Sequence, residues 1–174
     1  MGVLPKGYQV PQGSGNYMKF KIGENKFRVL GEAIVGMEGW KTKDDGKRSP
    51  VRKAMVEDEK PAFSLSDIDD PEQIKSFMAF PVWNYVDKKV QILELTQKGI
   101  MKNIVMLENN DDWGDLRNFD LLVGRVGEGM ETEYTIQPAP PKPLSEDIEK
   151  AWKVVELNFD IKKLFTNQDP FGTD

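Results

Sequence analysis

Residues 77–96 read Phe77-Met-Ala-Phe-Pro-Val-Trp-Asn-Tyr-Val86, then Asp87-Lys-Lys89, then Val90-Gln-Ile-Leu-Glu-Leu-Thr96. Side chains alternate across a β-strand with a period of two. In the first run Met78, Phe80, Val82 and Val86 fall on one parity, and Phe77, Trp83 and Tyr85 on the other. The Asp-Lys-Lys step is a turn, so the whole stretch reads as a β-hairpin. If the aliphatic row faces a core, the aromatic row faces outward. The opposite facing makes the aromatics the core, and parity alone does not choose between the two.

Upstream, residues 27–40 form one long apolar strand punctuated by Gly31, Gly36 and Gly39, as a strongly curved sheet requires. Phe27, Val29, Ala33, Val35 and Met37 share a parity. Residues 41–76 are a polar excursion, with a hairpin expected around 48–56 and a helix start at Asp70-Pro71. Downstream of the hairpin, Ile100, Ile104 and Leu107 recur at helical spacing behind Thr96, the expected N-cap. Residues 119–126 and 132–137 are two further strands joined at Gly127 to Gly129. The glycines from Gly124 to Gly129 lack the Gly-Lys-Ser/Thr ending of a phosphate loop, so they read as a turn. Four prolines between Pro138 and Pro143 make a stiff linker, and Ser145 caps an amphipathic helix carrying Ile148, Trp152 and Val155.

The predicted fold is mainly β: a five-stranded OB-fold barrel with a long insertion after strand 1, a helix between strands 3 and 4, and a C-terminal helix. The expected organisation is a flexible arm over 1–16, an OB domain over 17–138, a linker and helix over 139–165, and a disordered tail over 166–174.

Composition narrows the chemistry. Among 174 residues there is no Cys and no His. Disulfide frameworks, Cys/His zinc sites, thiol nucleophiles and histidine general bases are all excluded. No catalytic residue, metal or cofactor is expected, and the chain does not read as an enzyme. No apolar run approaches the roughly 18 residues of a membrane span, and residues 1–10 carry no export signal, so no membrane partner is expected. The net charge is −5 but is unevenly spread. Residues 1–53 hold 11 Lys+Arg against 5 Asp+Glu, a net of +6. Residues 54–107 hold 6 against 9, a net of −3, and residues 108–174 hold 7 against 15, a net of −8. A polyanion responds to the local patch more than to the total, so the basic N-terminal third is compatible with a nucleic-acid surface.

Binding a single strand takes a positive groove for phosphates and exposed rings for bases. The phosphate candidates are Lys41, Lys43, Lys47, Arg48, Arg52 and Lys53, in the connection after the first OB strand. The stacking candidates are Trp40, Trp83 and Tyr85, with Phe77 sharing their parity near its strand start. Arg125 is open between reaching a phosphate and pairing with Glu94 or Asp120. Trp113 and Trp152 read as packing residues. The bland reading of the basic run is a solvated loop.

Several stretches carry a resemblance: Tyr17-Met-Lys-Phe-Lys21, Gly23-Glu-Asn-Lys-Phe-Arg-Val-Leu30, Gly39-Trp40, Arg48-Ser-Pro-Val-Arg52, Phe80-Pro-Val-Trp-Asn-Tyr85, Ile92-Leu-Glu-Leu-Thr-Gln97, Asp112-Trp-Gly-Asp115, Phe119-Asp-Leu121, Arg125, Gly127 and Thr132-Glu-Tyr134. Across roughly residues 17–145 the chain resembles the single-stranded DNA-binding proteins of tailed bacteriophages. The resemblance implies an OB fold, sequence-tolerant binding and protection of single-stranded DNA in phage replication or recombination, and a place in the cytoplasm of the infected bacterial host. One branch of that family holds zinc on Cys and His; this chain has neither and would fall in a zinc-free branch. The family often ends in an acidic tail that recruits replication proteins, and here only Asp169-Pro-Phe171 and Asp174 echo it.

Two rival readings stand beside this one. Asp111, Asp112, Asp115 and Asp120 suggest a carboxylate metal nuclease, but three of them sit in a turn-rich loop. The acidic C-terminal third suggests a module docking on phage replication or recombination proteins. Charge complementarity also suggests that the C-terminus covers the groove, in which case deleting residues 145–174 tightens binding.

Overall fold

The computed structural model describes residue 3 and residues 15–57 and 59–172. The expected N-terminal arm therefore lies almost wholly outside the described residues. The protein is mainly β. Strands β1 (Gly23–Val29), β2 (Ile34–Thr42), β3 (Arg48–Ala54), β4 (Lys75–Asn84), β5 (Lys89–Leu95), β6 (Asp120–Val126) and β7 (Glu133–Pro138) form one antiparallel sheet. Helix α1 (Lys98–Glu108) follows β5, and α2 (Glu146–Glu156) follows β7. The order is β3-β2-β4-β1-β6-β7, with β5 paired to β4.

Two of the seven strands come from splitting and extending an expected one. β1 and β2 lie along the same edge of β4, with Val29 opposite Val82 and Ile34 opposite Ala79. Residues 30–33 thus face only Phe80 and Pro81, a bulge that bends one long strand into two. Because the slip is even, Phe27, Val29, Val35 and Met37 keep a common face. The excursion's hairpin is β2 with β3, turning at residues 43–47 and not within 48–56. Asp70 does cap a turn, accepting from the Glu72 amide at 3.0 Å, but Pro71–Gln73 is a single 3-10 turn before β4 begins.

The sheet is open, which corrects the expected closed five-stranded barrel. Among the described residues no pairing joins β5 to β7. The reason is local. The outer edge of β5 is taken by residues 16–18, where the Ile92 amide donates to the Asn16 carbonyl at 2.7 Å and the Met18 amide to the Ile92 carbonyl at 2.8 Å. Helix α1 packs beside β7 and fills the gap.

Both faces of the sheet are buried over its central strands. On the inner face Phe27, Val29, Phe80, Val82, Leu93, Leu95, Phe119 and Leu121 pack on Ile100 and Ile104 of α1. That helix starts after Gln97 with no side-chain cap, where Thr96 was expected. On the outer face Ile34, Phe77, Ala79 and Ile92 lie under Ile161, Leu164, Phe159, Phe165 and Phe171. Leu30, Val90, Trp83 and Tyr85 lie under Ile148, Trp152 and Val155 of α2. Ser145 caps α2 as expected, accepting from the Ile148 amide. The disordered tail expected from residue 166 is corrected up to residue 172. The Phe171 ring stands edge-on to Phe159 at 5.2 Å, and the Gln168 amide donates to the Lys163 carbonyl at 3.0 Å. Three phenylalanines find an apolar face there that ordering does not leave exposed.

Candidate functional site

The β2–β3 hairpin carries most of the basic run. Its register sets Trp40 opposite Pro50 and Thr42 opposite Arg48. The turn is closed by the Lys43 amide on the Lys47 carbonyl at 2.8 Å, and by Asp45 accepting from the Lys47 amide at 2.9 Å. Gly46 sits at φ +84°, in the left-handed region that favours glycine. This rigid turn holds Lys43 and Lys47 in solvent. The Arg48 guanidinium lies over the Trp40 ring, 5.4 Å from its centroid, a cation–π pair that orders both groups on one edge of the hairpin. Lys41 reaches Asp69 at 3.9 Å. Hydrogen bonds from the Thr42 hydroxyl and amide, with the Lys41 and Arg48 charges, hold the Asp69 carboxyl below its ordinary range despite some desolvation.

Beside the hairpin run residues 17–19. A cleft of about 410 Å³ is lined by Tyr17, Lys19, Trp40, Arg52 and Glu94. A second, of about 450 Å³, is lined by Tyr17, Lys43, Ser49, Pro50 and Asn167. The structure therefore groups Tyr17, Lys19, Trp40 and Lys43 around two adjoining clefts, with Arg48 over the Trp40 ring and Lys47 in the same turn as Lys43. Tyr17 and Lys19 are additions to the sequence-derived candidates. Their aromatic-basic alternation is legible, but pairing with β5 through Ile92 is what brings them to the hairpin.

Arg52 and Lys53 do different work from the expected phosphate contact. Arg52 is a buried clip: Nη2 donates to Glu94 at 2.8 Å and Nε to Glu38 at 3.1 Å. Its Nη1 donates to the Leu164 carbonyl at 3.3 Å. Burial, then the hydrogen bond and charge of Glu94, push the Glu38 carboxyl up to about 8 against the pull of Arg52. Burial likewise raises the Tyr17 hydroxyl. Lys53 donates to Asp67 at 2.9 Å and to the Ala62 carbonyl at 2.8 Å, pinning the 60–70 loop.

The β4 aromatics are likewise turned to packing. Phe77 is 2% exposed and stands edge-on to Phe165, so its ring is closed to a base. Trp83 is half-buried under α2. Tyr85 donates its hydroxyl to Asp120 at 2.7 Å, and Lys26 lies 4.6 Å from its ring centroid. Burial first, and then that bond to Asp120, raise the Tyr85 hydroxyl. Of the two facings the sequence left open, the structure turns Met78, Phe80 and Val82 to the inner core, but the opposite face is covered too. Arg125 donates to the Phe20 carbonyl at 2.8 Å and pairs with neither Glu94 nor Asp120. Trp113 packs on Phe119 at 5.6 Å, and Trp152 on Phe159 at 5.6 Å.

The carboxylates of the nuclease reading are dispersed. Asp115 holds Arg117 at 2.7 Å and caps a 3-10 turn. Asp120 is fully buried, bound by Arg28 Nε at 2.7 Å and approached by Lys142 at 3.4 Å and Lys26 at 3.7 Å. Among the described residues no three acidic groups are placed to hold a metal ion, and no helix is long and apolar enough to cross a membrane. Comparisons of the chain with protein-family profiles, curated proteins and solved structures gave no match.

Proposed function

We propose that the chain binds single-stranded nucleic acid, DNA in the setting the resemblance implies, through the β2–β3 hairpin and the strand segment beside it. The observation that carries the reading is the pairing of Arg48 with Trp40, which lines a cleft with Tyr17 and Lys19 next to one lined by Tyr17 and Lys43. Aromatic faces beside exposed cations are what a sequence-tolerant binder needs. The strand order supports an OB-derived sheet. With β1 and β2 taken as one bent strand, β5-β4-(β1/β2)-β6-β7 is the OB order opened between its third and fifth strands, α1 occupying the gap. The hairpin then stands in the connection after the first strand, where OB proteins meet their ligands. Docking on phage replication or recombination proteins through the C-terminal region is compatible with this role, since the first turn of α2 exposes Glu146, Asp147 and Glu149.

The test is fluorescence titration with oligo-dT at two salt concentrations, read through the intrinsic tryptophans. Quenching with an affinity that falls in salt is expected. Trp40→Ala costs about 1–3 kcal/mol of binding. Lys43→Ala with Lys47→Ala lowers the log–log salt slope by about 0.7 per lost phosphate contact. No binding at low salt, or full affinity in Trp40→Ala, overturns the reading.

A further inference from the structure

Two exposed apolar features of the surface carry opposite charge around them. The first follows from the open sheet. Between α1 and the ends of β2 and β4 lies a groove of about 770 Å³, lined by Val35, Met55, Met78, Met101, Val105 and Met106. Val35 and Val105 are each 49% exposed and Met106 67%. Lys98 and Lys102 stand on its rim one helical turn apart, exposed and, among the described residues, without an acidic partner. Methionine side chains adapt to varied apolar shapes, so such a groove suits a projecting side chain.

The second feature is the tip of the β6–β7 hairpin. Met130 is wholly exposed at its apex, with Val126 exposed at its base. Glu128, Glu131 and Glu133 surround them and, among the described residues, have no basic partner. The tip is a formed knob. The Glu131 amide donates to the Glu128 carbonyl at 3.1 Å, the Thr132 amide to the Gly129 carbonyl at 3.3 Å, and Gly127 and Gly129 take positive φ. A side chain at Gly127 would run into the Glu131 carbonyl, so this compact shape depends on the glycine.

We propose that the β6–β7 tip of one copy seats in the α1 groove of a second copy, with Met130 among the methionines and the glutamates against Lys98 and Lys102. Within this chain the tip is free of its own groove, since Met130 is fully exposed. Knob and groove are different surfaces, so the contact is heterologous. Unless a rotation closes it into a ring, it repeats into a string of copies. On a coated strand such a contact makes binding cooperative, but the contact itself does not depend on nucleic acid.

The test accordingly uses the full chain alone. Sedimentation velocity across a range of concentrations is expected to show association that weakens with salt. Met130→Asp and the pair Glu128→Lys/Glu131→Lys each weaken it by at least about fivefold, as loss of an interface anchor does. Mixing Glu128→Lys/Glu131→Lys with Lys98→Glu/Lys102→Glu restores a reversed contact. Because the natural chain has no cysteine, mixing Met130→Cys protein with Met106→Cys protein under mild oxidation reads the contact directly, and mixed dimers are expected to exceed random pairing. All these positions are exposed, and far-UV circular dichroism checks that the variants fold. A chain that stays monomeric at every concentration, or cysteine pairing in random proportion, overturns the proposal and leaves the groove to a partner of other sequence.

Discussion

Replacing Asp120 by Asn removes one negative charge from the buried end of the β1–β6 pairing while keeping the side chain's shape. Asp120 is fully buried and holds Arg28, itself 1% exposed, through a 2.7 Å bond from Nε. The other Arg28 bonds go to the Arg117 and Lys142 carbonyls, which are neutral. Asn thus leaves a buried guanidinium with no counter-charge, and breaking a buried pair this way costs about 3–5 kcal/mol. For a chain of this size each kcal/mol moves the melting temperature by about 2–4 °C, so the expected drop is about 6–20 °C. Tyr85→Phe removes only a neutral donor to the same carboxylate and costs about 0.5–1.5 kcal/mol. The pH profile gives a second reading. Burial alone raises the Asp120 carboxyl, but bonds from Tyr85 and Arg28 and the charges of Arg28 and Lys142 outweigh it, so its folded value lies below the ordinary one. A carboxyl depressed in the fold stabilises above its unfolded value, and that stability is lost as pH falls through the folded one. The gap between the natural chain and Asp120→Asn, measured by urea unfolding through tryptophan fluorescence, should be full at pH 7 and narrow in acid. A gap under about 1 kcal/mol at pH 7, or one constant down to strong acid, refutes the assignment of Asp120 as the essential counter-charge.

Glu38 behaves in the opposite sense. Its folded value is raised to about 8, so its contribution is fully present below the ordinary glutamate value and lost as pH rises through about 8. Glu38→Gln should flatten that decline by at least about 1.4 kcal/mol between pH 5 and 9, one pH unit's worth, in unfolding titrations. Leu164→Ala should cost about 2–5 kcal/mol by urea unfolding, since Leu164 is 1% exposed over the outer face. For the same reason deletion of residues 145–174 should abolish the cooperative melting transition in calorimetry, in place of the tighter binding its charge suggested.

What the sequence made legible was mostly local. The β4–β5 hairpin, α1, the β6–β7 pair and the Ser145 cap follow from alternation, helical spacing and capping chemistry, and they form where expected. Parity left the facing of β4 open, and the structure turns Met78, Phe80 and Val82 to the inner core. Parity says which residues share a face; it says nothing of what lies over that face. Phe77 and Trp83 were therefore readable as a row but not as covered, because their cover comes from residues 144–171, far along the chain. The same limit hid the role of Arg52, whose partners Glu38, Glu94 and Leu164 come from three other elements. Trp40, Lys43, Lys47 and Arg48 remain at the surface because the turn that carries them is local. Tyr17 and Lys19 join them only through a long-range pairing with β5.

The outer layer over the sheet is also made after every strand that it covers. Until residues 159–171 emerge, Ile34, Phe77, Ala79 and Ile92 have no cover, although all strands of the sheet have already been synthesised. Pairing of β1 with β6 must likewise wait for the long intervening stretch, as Gly23 lies opposite Arg125. Completion of the fold thus waits on residues made after the whole sheet. During synthesis the nascent chain presents a sticky β-surface that holdase chaperones recognise, and a stall or stop codon shortly before residue 159 yields an aggregation-prone product in place of a shortened but working protein.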